Sequence, residues 1–324
     1  MTTSRPRIVV TRCVPEAVEQ RAREEFDAVL NPTDTPMTAE ALRDAMRTAD
    51  GLLPTVTDRL TADVIGVSGQ RVRVVANFGV GFNNIDVAAA KQQGIVVTNT
   101  PDVLTDDTAD LAIALLFMAA RRLGEGERQL RAGRWGGWCP THHLGIKVTG
   151  KTLGIIGLGR IGRAVAKRAT GGFAMRVIYY DPPVSEADGR AAGAERRDSV
   201  EAVLRESDFV SLHAPASPEN RHLINAQRLA LMPRHAILVN TARGDIVDES
   251  ALARALQSKT IAGAGLDVYE REPAVTPELL ALENVVLLPH LGSATAETRV
   301  AMGMRALDNL AAFFSGTAPR DRVA

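Results

Sequence analysis

The sequence contains very little cysteine. Only two of its 324 residues, Cys13 and Cys139, are cysteines, and they lie far apart without a CxxC pair or a Cys/His spacing suited to zinc. Disulfide frameworks and structural zinc sites need several ligands at characteristic spacings. We therefore expect neither a disulfide-stabilised fold nor a metal site.

The sequence also lacks net charge. Its 38 Lys and Arg residues balance 38 Asp and Glu residues, and no long basic run is present. Nucleic acids and anionic membrane surfaces are bound by clustered basic side chains. We therefore expect no nucleic-acid partner and no membrane partner.

Long hydrophobic runs are absent as well. The most apolar stretch, residues 111–120, is about half of the roughly 20 residues that a membrane span needs. Near the start of the chain, the apolar run of residues 8–10 is too short for a secretory signal. The first run predicts a buried helix, the second predicts a strand, and we expect a cytoplasmic protein.

The length of the chain and its alternating pattern predict two α/β domains. A chain of 324 residues exceeds the size of one hydrophobic core. In the first hundred residues, short β-rich runs alternate with helical patterns, which favours parallel sheets. The predicted strands are 7–10, 51–53, 72–76 and 95–98, and the predicted helices are 39–46 and 87–92.

The second part of the chain repeats this alternation after a long helix, predicted over residues 104–123, and an irregular loop at 133–145. One more amphipathic helix is predicted at residues 296–314. The predicted strands of this part are 152–156, 176–180, 209–212, 237–240, 262–267 and 285–288.

A glycine-rich loop follows the first strand of this second part. Gly157, Gly159 and Gly162 form GxGxxG between an apolar strand and a helical stretch at residues 163–170. In a strand-to-helix context these glycines permit a tight turn, close approach to a pyrophosphate and close packing of helix on strand. Backbone amides at the start of a helix then face the phosphates. The pattern predicts a dinucleotide site.

The acid that ends the next strand predicts which dinucleotide binds. Asp181 follows residues 177–180, where a carboxylate accepts hydrogen bonds from the adenosine ribose and repels a 2′-phosphate. Arg160 in the glycine-rich loop could partly compensate for that repulsion. We therefore predict NAD as the cofactor and leave NADP open.

Three charged side chains at the ends of predicted strands are candidates for chemistry. His290 follows the strand at residues 285–288 and suits proton transfer, because an imidazole titrates near neutral pH. A neighbouring carboxylate would fix its tautomer, and Glu272 and Glu270 are rivals for this position. Arg243 follows another strand and can bind a carboxylate with two hydrogen bonds. By placement alone, each residue could also be a structural or solvent-exposed side chain.

Several motifs together resemble those of the D-isomer-specific 2-hydroxyacid dehydrogenase family. The resemblance runs from Asn77 to about Gly303. It is carried by Asn77-Phe-Gly-Val-Gly-Phe-Asn-Asn-Ile-Asp86, the loop at Gly157, Asn240-Thr-Ala-Arg-Gly-Asp-Ile-Val-Asp248, Gly265-Leu-Asp-Val-Tyr-Glu-Arg-Glu-Pro273 and Pro289-His-Leu-Gly-Ser-Ala294. Within the family, residues 135–141, Trp-Gly-Gly-Trp-Cys-Pro-Thr, look most like those of bacterial glyoxylate/hydroxypyruvate reductases.

The resemblance implies a role for each candidate. Arg243, Glu272 and His290 would be catalytic, with Glu272 paired to the histidine. The amides of Val80 and Gly81, with Arg243 and His290, would bind the substrate, while His213 would be structural. The implied cofactor contacts are Thr108, Gly157, Gly159, Arg160, Ile161, Gly162, Asp181, Pro215, Thr241, Ala242, Asp267 and Gly292, with Asp267 receiving the nicotinamide carboxamide.

The resemblance also implies an architecture. It consists of two Rossmann-like α/β domains with parallel sheets, in which the cofactor domain is inserted into a discontinuous substrate domain. Residues 1–100 and 290–324 would form the substrate domain, and residues 101–289 the NAD-binding domain. The long helix and the tryptophan-containing loop are typical of the family's dimer interface, so a homodimer is expected.

The expected activity is reduction of glyoxylate or hydroxypyruvate to the D-2-hydroxy acid with NAD(P)H. The alternatives are another D-2-hydroxyacid dehydrogenase such as a 2-ketogluconate reductase, a phosphite oxidase, and a non-enzymatic NAD-sensing scaffold. One departure from the family pattern is local: Gly171 and Gly172 precede Phe173, where relatives more often have a glycine after the phenylalanine. This departure puts the predicted end of that helix in doubt.

Overall fold

A computed structural model describes residues 5–324, so the first four residues of the predicted substrate domain lie outside the described part. The chain divides into two compact units. Unit 1 consists of residues 1–104 and 293–324, and unit 2 of residues 105–292. The sequence predicted domain boundaries after residues 100 and 289, whereas the units of the structure meet a few residues later, after residues 104 and 292.

Unit 1 contains a five-stranded parallel sheet in the order β2-β1-β3-β4-β5. The strands are β1 (Arg7–Val10), β2 (Asp27–Val29), β3 (Gly51–Leu53), β4 (Val74–Ala76) and β5 (Val96–Thr98). The helices are α1 (Glu16–Glu25), α2 (Ala39–Thr48), α3 (Ala62–Ile65), α4 (Val87–Gln92) and α13 (Ala296–Phe314). The predicted α13 has the bounds that the structure shows.

Local sequence explains these helices. In α2, the Thr38 hydroxyl accepts a hydrogen bond from the Ala41 amide, which satisfies one of the unpaired donors at the helix start. Leu42, Ala45 and Met46 recur at helical spacing and are buried. Each large apolar side chain of this kind contributes about 1.5–3 kcal/mol when it is fully buried.

Unit 2 contains a seven-stranded parallel sheet in the order β12-β11-β10-β9-β6-β7-β8. Its strands are β6 (Thr152–Ile156), β7 (Arg176–Tyr180), β8 (Ala194–Arg196), β9 (Phe209–Leu212), β10 (Ile237–Asn240), β11 (Gly263–Leu266) and β12 (Val285–Leu287). Its helices are α5 (Thr105–Ala120), α6 (Leu123–Arg131), α7 (Arg160–Phe173), α8 (Glu186–Ala191), α9 (Val200–Glu206), α10 (Ala226–Leu229), α11 (Glu249–Gln257) and α12 (Pro277–Leu280).

The strand order of unit 2 reverses direction at β6. From β6 the chain adds β7 and β8 on one side, and it later adds β9 through β12 on the other. Because all strands are parallel, their carboxyl ends meet at one edge, where ligands of open α/β sheets bind next to the reversal. The predicted fold class, two Rossmann-like α/β domains with parallel sheets, is confirmed.

The helix around residue 120 differs from the prediction. The predicted helix to residue 123 ends at Ala120, and α6 begins after Arg122, whose backbone is left-handed (φ 52°). A left-handed residue breaks the helical hydrogen-bond pattern. Residues 133–145 contain neither helix nor strand, as expected.

The helix after the glycine-rich loop is longer than predicted. It starts at Arg160, runs through Gly171 and Gly172 to Phe173, and ends at Ala174 in the left-handed conformation (φ 50°). Glycine usually occupies such a position because a Cβ atom disfavours it. Alanine therefore takes the place of a glycine cap here. Among residues 5–324, no helix is both long and apolar enough to cross a membrane.

Candidate active site

The glycine-rich loop has the geometry that a pyrophosphate-binding turn needs. Gly157 has φ 92°, and a Cβ atom there would lie 2.6 Å from the backbone nitrogen of Ala214. A Cβ atom at Gly162 would lie 2.3 Å from the carbonyl oxygen of Gly157. At Gly159, by contrast, the space is open. The two outer glycines are therefore required by the turn and the packing, and the middle one leaves the backbone accessible to a ligand.

Asp181 directly follows β7 and contacts this loop. Its Oδ2 atom accepts a hydrogen bond from the Leu158 amide at 2.7 Å, and the Gly157 amide donates to the Tyr180 carbonyl at 3.0 Å. These bonds fix the loop to the end of β7. The predicted ribose carboxylate thus also anchors the glycine-rich turn, an interaction that spacing alone did not indicate.

Thr241 provides an independent test of whether a dinucleotide fits here. It follows β10 and is buried, and its hydroxyl has no hydrogen-bond partner among residues 5–324. A buried hydroxyl without a partner is energetically costly, so it is explained when a ligand supplies the missing hydrogen bond. The hydroxyl of Thr108, the other predicted threonine, instead donates to the Gly292 carbonyl at 2.9 Å. The open backbone at Gly159 and the unpaired Thr241 hydroxyl fit a bound NAD(P).

The remaining predicted cofactor residues lie at the carboxyl ends of the unit 2 strands or in the first turn of α7. Pro215 follows β9, and its carbonyl accepts from Asn220 at 2.9 Å. The Ala242 amide donates to Asn240 Oδ1 at 3.0 Å. Arg160 and Ile161 form the first turn of α7, whose N-cap, Gly159, offers no side-chain hydrogen bond.

His290 and Glu272 form a hydrogen-bonded pair. The Nδ1 atom of His290 lies 2.8 Å from Oε2 of Glu272, while Oε1 of Glu272 accepts from the Tyr269 amide at 3.0 Å. Burial by itself raises the pKa of Glu272, but the hydrogen bond and charge of His290, the Tyr269 amide and the charge of Arg243 together lower it. The carboxylate therefore remains ionised and fixes the imidazole with Nε2 available for chemistry.

The structure separates the two glutamates that the sequence left as rivals. Glu270 Oε1 accepts a hydrogen bond from the Glu249 amide at 3.0 Å, and Oε2 lies 3.2 Å from His222 Nε2. Glu272 is the carboxylate that contacts His290.

Asp267 fixes the backbone that carries His290. Its carbonyl accepts from the His290 amide at 2.9 Å, and its two carboxylate oxygens accept from the Leu291 amide at 2.6 Å and the Gly292 amide at 2.8 Å. His290 itself has φ 56°, a conformation that a non-glycine residue keeps only when its surroundings impose it. Burial raises the pKa of Asp267 despite the opposing amides and His290. Asp267 thus binds the backbone amides of His290 and of the two residues that follow it.

Arg243 follows β10 in the same unit. Its Nη1 atom donates to the Ala242 carbonyl at 2.7 Å. Burial lowers the pKa of the guanidinium, although Glu272 and Asp245 oppose this shift, and an arginine remains charged at working pH. The arrangement combines one permanent cation with a histidine–carboxylate pair, which suits binding of an acid beside a proton donor.

His213 also follows a strand, β9, but it differs from His290. Its Nε2 atom lies 2.8 Å from the Ser211 hydroxyl, and burial lowers its pKa to about 4. An imidazole that is neutral at working pH is a poor proton donor. This agrees with the structural interpretation of His213.

The predicted carboxylate-binding loop lies in unit 1, after β4. The buried Asn77 donates through Nδ2 to the Gly81 carbonyl at 2.9 Å, and Asn99 donates to the Val80 carbonyl at 2.8 Å. Asn84 in turn donates to Asn77 Oδ1 at 3.1 Å. The amides of Val80 and Gly81 have no hydrogen-bond partner within residues 5–324. The loop thus engages its carbonyls and leaves two amides for a ligand.

Sequence reasoning missed the side chains that support these loops. These side chains hold loop backbone or one another through hydrogen bonds, and they belong to Asp267, Asn77, Asn84, Asn99 and Glu249. Their common signal is a polar residue inside or just beyond a motif next to a strand end. Such a signal does not reveal which backbone group the side chain will bind.

Comparison with known proteins identifies the family. The model for "D-isomer specific 2-hydroxyacid dehydrogenase, NAD binding domain" matches residues 113–292, which is more than half of the chain. A glyoxylate reductase of Thermococcus kodakarensis is 47% identical over 97% of this chain and 95% of its own. A glyoxylate reductase of Korarchaeum cryptofilum is 46% identical over 98% of this chain and 96% of its own.

Solved structures agree with the sequence comparisons. The crystal structure of the NADPH-dependent glyoxylate/hydroxypyruvate reductase from Sinorhizobium meliloti, in complex with NADP and malonate, superposes with a TM-score of 0.88. It is 38% identical and covers 99% of this chain and 97% of its own. The chain therefore belongs to the D-isomer specific 2-hydroxyacid dehydrogenase family and is an NAD(P)-dependent dehydrogenase.

Proposed function

We propose that this protein reduces a small 2-keto acid, glyoxylate or hydroxypyruvate, with NAD(P)H to the corresponding 2-hydroxy acid, which is the D isomer when the product is chiral. The observation that carries the proposal is the His290–Glu272 hydrogen bond at 2.8 Å in the same unit as Arg243 and a dinucleotide loop. Relatives named glyoxylate reductase, similar over nearly their full length, support the same substrate class.

The side chains of unit 2 divide the reaction between them. Arg243 binds the substrate carboxylate and polarises the ketone, because a guanidinium offers several donors in one plane. His290 donates a proton from Nε2 to the oxygen of the reacting carbonyl, while Glu272 holds Nδ1 and stabilises the charged imidazole. When bound, the reduced nicotinamide supplies the hydride to the carbonyl carbon. The developing alkoxide thus becomes a hydroxyl as it forms.

Unit 1 contributes to substrate binding in this proposal. The amides of Val80 and Gly81 bind the carboxylate, since their carbonyls are already engaged by Asn99 and Asn77. Unit 2 binds the cofactor through the Gly157 loop, Asp181 and Thr241. Unit 1 is therefore the substrate domain and unit 2 the cofactor domain.

We propose NAD as the preferred cofactor, since Asp181 presents a carboxylate at the ribose position. The Sinorhizobium meliloti relative is NADPH-dependent, so both cofactors belong in any assay.

We also propose a homodimer. Segment 123–145 exposes apolar side chains, among them Trp138 at 82% and Leu144 at 66%, which are buried when two copies associate. Light scattering of the purified protein tests this state.

A substrate panel tests the proposed reaction. Steady-state rates with NADH and with NADPH are measured for glyoxylate, hydroxypyruvate, pyruvate and 2-ketogluconate, and NAD+ reduction is measured with phosphite. We expect the highest kcat/KM for glyoxylate or hydroxypyruvate. A preference for 2-ketogluconate would move the assignment to a bulkier acid. No turnover with any of these compounds would overturn the proposed substrate class.

A further inference from the structure

The peptide between Tyr269 and Glu270 lies beside the catalytic pair. The Tyr269 amide donates to Glu272 Oε1 at 3.0 Å, and Glu272 Oε2 contacts His290. One residue later, the Glu270 amide donates to Glu249 Oε1 at 2.6 Å. The position of this short segment therefore determines where the Glu272 carboxylate lies.

Glu249 is a buried carboxylate that the proposed reaction does not use. It is the first residue of α11 and is only 4% exposed. Besides the Glu270 amide, it accepts a hydrogen bond from the Thr276 hydroxyl through Oε2. It therefore joins two points of the segment 270–276, which contains Glu272. Charge-assisted hydrogen bonds of this kind are among the stronger ones in proteins.

Glu270 accepts the reciprocal hydrogen bond from the Glu249 backbone. Its Oε1 atom accepts from the Glu249 amide at 3.0 Å, where a carboxylate is favoured by the start of a helix. Each glutamate thus binds the backbone amide of the other. We refer to these two residues as the glutamate clamp.

Gly244 connects the same peptide to Arg243. A Cβ atom at Gly244 would lie 1.8 Å from the carbonyl carbon of Tyr269 and 2.3 Å from the nitrogen of Glu270. The backbone next to Arg243 therefore packs directly against this peptide, and only glycine allows that approach. The peptide contacts the element that carries Arg243 on one side and positions Glu272 on the other.

We propose that Glu249 and Glu270 are positioning residues that hold Glu272 against His290 by fixing the Tyr269–Glu270 peptide. The inference rests on the proposed function, because its catalytic readout needs turnover of a 2-keto acid. It extends that function to Glu249, which the sequence did not single out, and to Glu270, the rival glutamate that does not contact His290. A misplacement of about 1 Å in such a site lowers the rate by up to roughly a hundredfold.

The test compares Glu249→Ala with Glu249→Gln in the full-length protein. Alanine removes both hydrogen bonds, whereas glutamine still accepts from the Glu270 amide and donates to Thr276. We expect kcat for glyoxylate to fall about ten- to a hundredfold in the alanine variant. We expect NADH affinity, measured by fluorescence titration, to stay unchanged. The glutamine variant should recover most of the rate, and Glu278→Gln, at an exposed position on α12, is the matched control.

The pH profile supplies a readout that a purely structural role would not move. Glu272 is faced by His290, Arg243 and Asp267, and the Tyr269 amide helps to lower its pKa. Because the reaction needs the carboxylate, kcat/KM is lost as the pH falls through this lowered pKa. Loosening the glutamate clamp weakens the hydrogen bond from the Tyr269 amide to Glu272 and so raises the pKa of Glu272. The acid limb should therefore move to higher pH in Glu249→Ala and not in Glu249→Gln.

The outcomes distinguish the clamp from the proposed function. Unchanged kcat and an unmoved acid limb in Glu249→Ala would overturn the clamp, as would equal losses in both variants. If the wild-type protein turns over no 2-keto acid, the proposed function fails. Hydrogen exchange of the Glu270 amide then decides the clamp: faster exchange in the alanine variant alone supports it, and equal exchange overturns it. If Glu249→Ala does not fold, Glu270→Ala undergoes the same measurements.

Discussion

The two units hold their predicted binding groups in different ways. In unit 1, the neutral side chains of Asn77, Asn84 and Asn99 bind backbone carbonyls and leave the amides of Val80 and Gly81 for a ligand. In unit 2, the ionisable side chains His290 and Glu272 bind each other beside Arg243. The first arrangement does not titrate, whereas the second depends on protonation.

The difference indicates how binding and chemistry are divided. A pair of backbone amides attracts a carboxylate equally well before and after reaction, so it contributes uniform binding. A histidine supported by a carboxylate changes its charge during the reaction and acts on the transition state. Changes in the unit 1 loop should therefore alter KM, and changes in the His290–Glu272 pair should alter kcat.

The strongest test of this division is His290→Gln. Removal of the proton donor should lower kcat by about a thousandfold, within the range of general acid catalysis. NADH affinity should stay the same, because the side chain acts on the ketone. The measurements are steady-state rates and fluorescence titration. His235→Gln, an exposed histidine bound to Asp208, is the control and should retain the wild-type rate; retained turnover in His290→Gln would refute the assignment.

The second test concerns a largely buried ion pair in unit 1, whose Asp321 carbonyl accepts a hydrogen bond from the Asn99 amide. Asp321 is 4% exposed at its side chain and accepts from Arg305 and from Asn309. Burial raises the pKa of Asp321. The hydrogen bonds from Arg305 and Asn309, with the charge of Arg305, together lower that pKa by more than burial raises it, so the net shift is downward. Its stabilisation is present above the unfolded pKa of about 4 and is lost as the pH falls through the lowered folded value.

Asp321→Asn should therefore reduce the free energy of unfolding at pH 7 by about 2 kcal/mol, because the half-buried Arg305 loses its charge-assisted hydrogen bonds to the carboxylate. The loss should shrink as the pH falls below about 4. Urea unfolding at several pH values measures both effects. Asp308→Asn removes a largely exposed partner of Arg21 and should cost less than about 1 kcal/mol. Equal costs for the two variants would contradict the prediction.

A smaller effect is expected from Asn77→Ala in the unit 1 loop. The variant loses the hydrogen bonds to the Gly81 carbonyl and from Asn84, so the Val80 and Gly81 amides are less well ordered. KM for glyoxylate should rise about tenfold, while kcat changes little. Initial rates over a wide range of glyoxylate concentration separate the two parameters. A fall in kcat at unchanged KM would invert the proposed division of roles.

An effect of similar size, but on the choice of cofactor, is expected from Asp181→Asn. Asparagine keeps an oxygen for the Leu158 amide but removes the negative charge, so repulsion of a 2′-phosphate disappears. The ratio of kcat/KM for NADH to that for NADPH should fall by about tenfold. Asp181→Ala removes the loop anchor as well and should also weaken binding of both cofactors. An unchanged ratio in Asp181→Asn would exclude a ribose role for this residue.

Much of the fold follows from local pattern. Alternation of apolar runs and turns predicted most strands of both sheets, and the family motifs predicted the insertion of one unit into the other. The helix boundary near Ala120 could not be predicted, since Arg122 adopts a left-handed conformation without being glycine. Ala174 is a second such case. In both, the surrounding structure overrides the preference of a single residue.

For the site, the sequence alone determined the residue types and their order: the GxGxxG loop, an acid after the next strand, and arginine and histidine after two others. Parallel strands bring such ends to one edge, so this part needs only pattern. The tertiary structure alone decided that Asp267 fixes the histidine backbone and that Glu249 reaches the Glu270 amide. It also brings Glu272, which the family motif favoured over Glu270, into contact with His290. Each of these contacts joins residues that are 18 to 24 positions apart in the sequence. A hydrogen bond forms only if the distance between its two atoms is right to within a few tenths of an ångström, and only the packing of the folded chain sets distances so closely.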